Sequence, residues 1–398
     1  DEGLKSLQAE VAKIKATPVS AAELEEARNE LITEALEQRE TTDGRAADLA
    51  YSVIVFGDAK ASDRILSQLQ GVTAADVQRV ANELFVDSRA VTIRYLPEAP
   101  GAKGDAIADS KGIVTAKIDI PASEIPTFTL APEDKRVQPP QPGAAIAAKI
   151  PPATEKTLAN GLRVIVANRP GLPLVAADLR FSAGSALDPA DRAGLATMTA
   201  DLATRGTATR SATDIARQIE SLGASLGASA GADASSVSTA TRSDKAAQVF
   251  AVMADVAEHP AFQDEELQRA RQEALDGLMV SLRQPNSVGG YAMTRRLFGA
   301  GPYGKTPSPK SIAALSRDDA AKFHSTYWRP DNAVLVIAGD ITPDAGFKLA
   351  EDVFGKWQKP AAPPPPATEA PAPEGARAPL MIDMPKIGQA AVLIGRVG

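Results

Sequence analysis

Histidine and cysteine bound the chemistry open to this chain. Its 398 residues hold no Cys and two His, His259 and His324. Without Cys there are no disulfides, thiol nucleophiles, iron–sulfur ligands or Cys-type zinc sites. The lack of Cys leaves the compartment unfixed. A helical zinc motif that sets two His four residues apart cannot be written anywhere, because the two His are far apart in sequence. A Ser–His–Asp triad would have to draw on one of the two, and no nucleophile elbow accompanies either. The Gly-rich stretch Gly299–Gly304 lacks the strand–turn–helix order and the Lys-Ser/Thr pair of a phosphate loop. His259 precedes Pro260 at a helix end, where a cationic imidazole favours the dipole. His324 shares a helix face with Ala320 and Tyr327. Both read as surface or packed histidines rather than ligands.

The composition is that of a globular chain with real cores: 44% hydrophobic and 23% charged. Aromatics are 4%, so Ala, Val, Leu and Ile must fill those cores. The net charge is −7 and no basic block stands out, which disfavours a nucleic-acid surface. No apolar run is long enough to span a membrane. The opening DEGLKSLQAE has no signal-peptide pattern. It lacks Met and starts on an amphipathic pattern, which reads as part of something larger.

Proline divides the chain. Of 30 prolines, 18 lie between 97 and 152 or between 360 and 379. Proline fixes φ and removes a donor, so both windows read as linkers, the second of polyproline character. One short strand is expected near Ile113–Ile120. In the first block, Ser20 and Glu23 form a capping box for a helix to Gln38. Thr73 and Asp76 open another helix, and Ala90–Leu96 reads as a strand. The second block starts with a hairpin around Asn160-Gly161. A strand at Leu174–Ser182 follows, then helices at Gly194–Leu202 and Thr213–Leu222. Small-residue strands come next at Ala224–Ala230 and Ser235–Thr241. Helices at Asp244–Glu258, Asp264–Arg283 and Ser316–Tyr327, a strand at Ala333–Gly339 and a helix at Thr342–Phe354 complete it. Strand pairs alternating with helix pairs predict an α+β fold, antiparallel-rich sheets with helices on one face, in repeated subdomains. The segment from 380 reads as the first strands of another unit.

Several stretches together resemble the insulinase/pitrilysin family of zinc metallopeptidases. Gly184, Asp188, Gly194-Leu195-Ala196 and Gly206-Thr207 match the frame around that family's inverted zinc motif, H-x-x-E-H. Leu297–Ile341 is similar to its Pro-Tyr-Gly, helix, Tyr-x-Arg-Pro-x-Asn and Gly-Asp run. Val353–Trp357, VFGKW, matches the close of the family's first subdomain, and TLANGLRVIV its start. Val72–Ala81 echoes a phrase from the end of a preceding module. The motif positions themselves depart: the first His falls on Thr197, the Glu on Ala200 and the second His on Asp201. Thr197 is a poor zinc ligand, Ala200 cannot polarise water, and Asp201 alone is one carboxylate. Glu273 lies near the position of the third ligand and reads as a solvated helix charge.

The resemblance implies a domain plan. Residues 1–98 would end one module, 99–151 link it to the next, and 152–359 form the first subdomain of a second, non-catalytic module. Residues 360–379 would be a Pro-rich linker and 380–398 the start of a further subdomain. It also implies a role. The parent would be a zinc endopeptidase, bacterial in type, whose zinc sits in the catalytic module, outside this chain. This segment would be the inactive half that encloses peptide or unfolded polypeptide, with no metal, cofactor or catalytic residue of its own. Its partners would be that substrate and the catalytic module, in the same protein or in a partner subunit. The alternative is a wholly non-catalytic subunit for peptide binding or assembly. The small residues of Ala224–Ala240 suit an accepted peptide backbone and tight helix packing equally. Family habit and the lack of Cys lean toward a periplasmic or exported location.

Overall fold

The computed structural model describes residues 2–93, 130–136, 138, 143, 152–365, 378–385 and 387–396. The chain divides into two units, 1–81 with 151–398, and 82–150. In the second unit, single 3₁₀ turns form at Asp87–Arg89 and Glu133–Lys135. The strand expected at Ala90–Leu96 is not formed over 90–93, and its remainder and the one near Ile113–Ile120 lie outside the described residues.

The chain opens with five helices: α1 (Glu2–Ala16), α2 (Ala21–Gln38), α3 (Thr42–Phe56), α4 (Ala61–Gly71) and α5 (Ala74–Leu84). Ser20 and Glu23 cap α2 reciprocally, and Thr73 and Asp76 do the same ahead of α5. The buried positions among these helices are small or polar: Asn29, Thr33, Ser52, Ala61 and Ala81. They are fastened by groups such as Ser52–Ser62 (2.7 Å) and Arg39–Asp48 (3.0 Å).

A larger body follows. Its elements are β1 (Ala153–Thr157), β2 (Arg163–Asn168), β3 (Leu174–Phe181), α6 (Leu195–Ala203), α7 (Ala212–Ser221), β4 (Ser225–Ala230) and β5 (Ser235–Arg242). Then come α8 (Ala246–Glu258), α9 (Asp264–Ser281), α10 (Pro285–Phe298), α11 (Pro309–Ala313), α12 (Arg317–Tyr327), β6 (Ala333–Gly339) and α13 (Pro343–Phe354). The strands make one sheet ordered β1-β2-β6-β3-β5-β4, antiparallel except where β2 meets β6. This is the α+β arrangement the strand–helix alternation predicts.

Alternation along the strands decides which face is covered. Val164, Val166, Leu179, Phe181, Val237, Leu335 and Ile337 point one way and are buried against α6, α8 and α13. The opposite face carries Ile165, Val336, Asp178, Ser238 and Gly227 in one register row. Val336 and Ser238 on it are exposed. Phe181 stacks on Trp328 at 4.6 Å and meets Trp357 edge-on, which explains the VFGKW close. The turn of the first hairpin is pinned to the same corner. Asn160 Nδ2 donates to the carbonyls of Phe354 (2.8 Å) and Trp357 (3.1 Å), and Gly161 alone in that turn takes a positive φ, 93°.

Residues 378–385 and 387–396 form no strand, against the expectation for the segment from 380. A β-strand needs a partner edge; this segment instead lies beside α10, where Arg296 donates to the Ala378 carbonyl (2.7 Å) and Leu393 sits over Gly289.

A motif helix with a guanidinium between its carboxylates

The frame around α6 is built from backbone needs. Gly194 precedes the helix at φ 103°, a conformation that favours glycine. Asp188, buried, folds back on the helix start and accepts the N–H groups of Gly194 (2.8 Å), Leu195 (3.1 Å) and Ala196 (2.9 Å). These are orphan donors of a helix N-terminus, which a carboxylate satisfies. Burial nevertheless pushes the Asp188 carboxyl up to about 6, while the three N–H donors and Lys305 pull the other way. Lys305 donates to the Ala186 carbonyl (2.9 Å), and Arg192 pairs with Asp319 (3.2 Å), tying this loop to the start of α12. Past the helix, Gly206 has φ 128° and the Thr207 hydroxyl donates to Asp255 on α8 (2.6 Å). Asp188, Gly194, Gly206 and Thr207, which matched the family pattern, thus each have a structural task of their own.

The motif positions divide between the helix faces. Leu195, Met198 and Leu202 are buried, as their spacing predicts, and so is Ala200. Thr197 is exposed and Asp201 half-buried, on the outward flank. The residue that sequence reasoning missed is Arg205, just past the helix. Its Nη2 lies 3.0 Å from Asp201 and 2.6 Å from Glu273 on α9. Glu273 is therefore a paired charge, not the merely solvated one expected. Its hydrogen bonds with Arg205 hold its carboxyl below the usual range. The signal available in sequence was an i,i+4 Asp–Arg pair at the end of a helix, but its third member lies 68 residues on.

Zinc does not fit these side chains. A hydroxyl at 197, a buried methyl at 200 and two carboxylates already bound to a guanidinium offer no open set of three donors. Among the described residues no group of three or more His, Asp or Glu is placed to hold a metal ion. The histidines lie elsewhere. His324 is half-buried, contacts the Ala257 carbonyl through Nε2 (2.9 Å) and packs edge-on against Phe262; desolvation pulls its pKa down to about 4. His259 is exposed, with Nδ1 3.5 Å from Asp255.

The two edges of the sheet differ. All five residues of β1 are exposed, and Glu155 pairs with Arg163 at 2.7 Å, so charge guards that edge. At the other edge β4 reads Ser-Leu-Gly-Ala-Ser-Ala, without charge or proline, and no described strand pairs with its outer side. α6 packs against β4 and β5.

The fold is a six-stranded sheet with α6, α8 and α13 on one face, and α6 carries Thr197, Ala200 and Asp201 at the motif positions. Two family models match in succession: Insulinase (Peptidase family M16) over residues 163–289, and Peptidase M16 inactive domain over 314–398. The chain belongs to this insulinase/pitrilysin family. It is 28% identical over 199 residues to an uncharacterized zinc protease of Rickettsia bellii, covering 50% of this chain and 48% of that protein. Among solved structures it is similar to a peptidase M16 inactive domain from Pseudomonas fluorescens, with a TM-score of 0.53, 26% identity and 56% and 54% of the two chains covered. Pitrilysin shares the fold, with a TM-score of 0.50 at 18% identity over 56% of this chain and 24% of that one. The chain spans about half the length of the curated relatives it matches. No helix among the described residues is long and apolar enough to cross a membrane.

Proposed function

We propose that this chain supplies the non-catalytic half of a zinc-dependent endopeptidase, enclosing and binding an extended or unfolded polypeptide. The zinc and the bond cleavage belong to a catalytic half, in the same protein or in a partner subunit. The observation that carries this reading is the β4 edge: an unguarded strand of small residues, beside a helix that offers no catalytic group. An extended peptide can add to such an edge by main-chain hydrogen bonds, which suits a partner read for its backbone more than its sequence. In this reading residues 1–98 end the preceding module, 99–151 link the two, 152–359 form the first subdomain of the inactive module, and 380–398 open the next beyond the 360–379 linker. The reading carries with it a periplasmic or exported location.

The test is binding of a fluorescently labelled, unfolded polypeptide to the full chain. Ser229→Lys copies onto β4 the kind of charge that guards β1, and should weaken binding by about tenfold, equivalent to 1.4 kcal/mol. Glu155→Ser on β1 should leave it unchanged. Equal binding by both variants would mean that the peptide contacts another surface.

A further inference from the structure

We propose that Arg205 is a resident cation that takes over the charge role a metal would have between α6 and α9, crosslinking the two helices and closing the place to divalent ions. Asp201 stands at the position of the motif's second His, and Glu273 near that of the third ligand. The guanidinium bridges them. Nη2 contacts both Asp201 oxygens (3.1 and 3.0 Å) and Glu273 Oε2 (2.6 Å), and Nη1 reaches Glu273 Oε1 at 3.4 Å. Its hydrogen bond to Glu273, with Asp201 adding to it, raises the guanidinium further above its already high range. Arg205 is held in place by its own backbone, since its N–H donates to the Leu202 carbonyl (3.1 Å) just before Gly206 turns the chain.

An arginine suits this task better than a lysine. Its planar fork meets two carboxylates at once and cannot be deprotonated. A guanidinium that pairs with both Asp201 and Glu273 also leaves neither free to ligate an ion. The same bridge links α6 to α9 without a metal.

Thermal melting of the full chain, with and without millimolar zinc, tests this. Arg205→Gln should lower the midpoint by about 2–4 °C at low salt, and the loss should shrink in molar salt, which screens the repulsion between the two solvent-accessible carboxylates left behind. Zinc should restore the midpoint of Arg205→Gln and leave the wild-type midpoint where it is. The double variant Arg205→Gln/Glu273→Gln should recover most of the loss without zinc. Arg205→Gln melting with the wild type, or a deficit that neither zinc nor Glu273→Gln relieves, would overturn the proposal.

Discussion

Residues 153–357 and residues 2–84 are both rich in regular structure, yet they are held together by different forces. In the first, a continuous apolar core runs from Leu158 to Trp357 and includes fully buried Phe181, Phe250, Phe354 and Met253. In the second, the helices bury Asn29, Thr33 and Ser52, and leave Tyr51, Ile54, Val55 and Phe56 at the surface. Helices that expose apolar sides in this way gain little from burial, which is the dominant stabilising term. What ties α2 to the larger body is polar: Asn29 Nδ2 donates to the Ser221 carbonyl (2.8 Å), and Asn29 Oδ1 accepts from Arg242 Nη1 (3.1 Å). The difference teaches that secondary structure can be specified locally while stability is supplied elsewhere. The exposed side of α3 is a surface that asks for cover, in keeping with the proposed place of residues 1–98 at the end of a module.

Substitutions can break or sharpen this contrast. The largest effect is expected at the aromatic corner: Phe181→Ala should cost about 3–5 kcal/mol, and Leu202→Ala on α6 about 2–5 kcal/mol, by denaturant unfolding. Asp188 comes next and carries a pH signature. Its folded-state pKa, about 6, lies above the ordinary aspartate range, so the fold favours the protonated carboxyl. Its contribution is fully present below about 4 and is lost as the pH rises through about 6. The stability of Asp188→Asn relative to wild type should therefore rise between those pH values; a flat difference would show that the three N–H donors cancel the cost of burial. Smallest of all, Ile54→Ala on α3 and Thr197→Ala on α6 should each change stability by less than about 0.5 kcal/mol. A cost at Ile54 as large as at Leu202 would show that α3 is packed, and would erase the contrast.

Most of the larger body was legible in its residues. The alternation in Leu174–Ser182 and the apolar spacing of Leu195, Met198 and Leu202 are local signals that gave their elements, as did the capping box at Ser20 for α2 outside that body. The helices α1, α3, α4, α10 and α11 were not read out; the apolar residues of α3 gather in the unbroken run Val53–Phe56 and α10 contains Gly289 and Gly290, which blur the period. The parallel pairing of β2 with β6 joins strands far apart in sequence, which periodicity cannot see. The same limit hid Arg205. Its partner Glu273 is brought near by the packing of α9 on α6, a tertiary fact with no local trace.

The central claim is that this chain holds polypeptide without cutting it. The direct measurement incubates the full chain with an unfolded, labelled polypeptide, with and without a chelator, and follows binding and cleavage together. The account predicts binding that the chelator leaves unchanged, with the polypeptide intact. Cleavage that the chelator abolishes would contradict it.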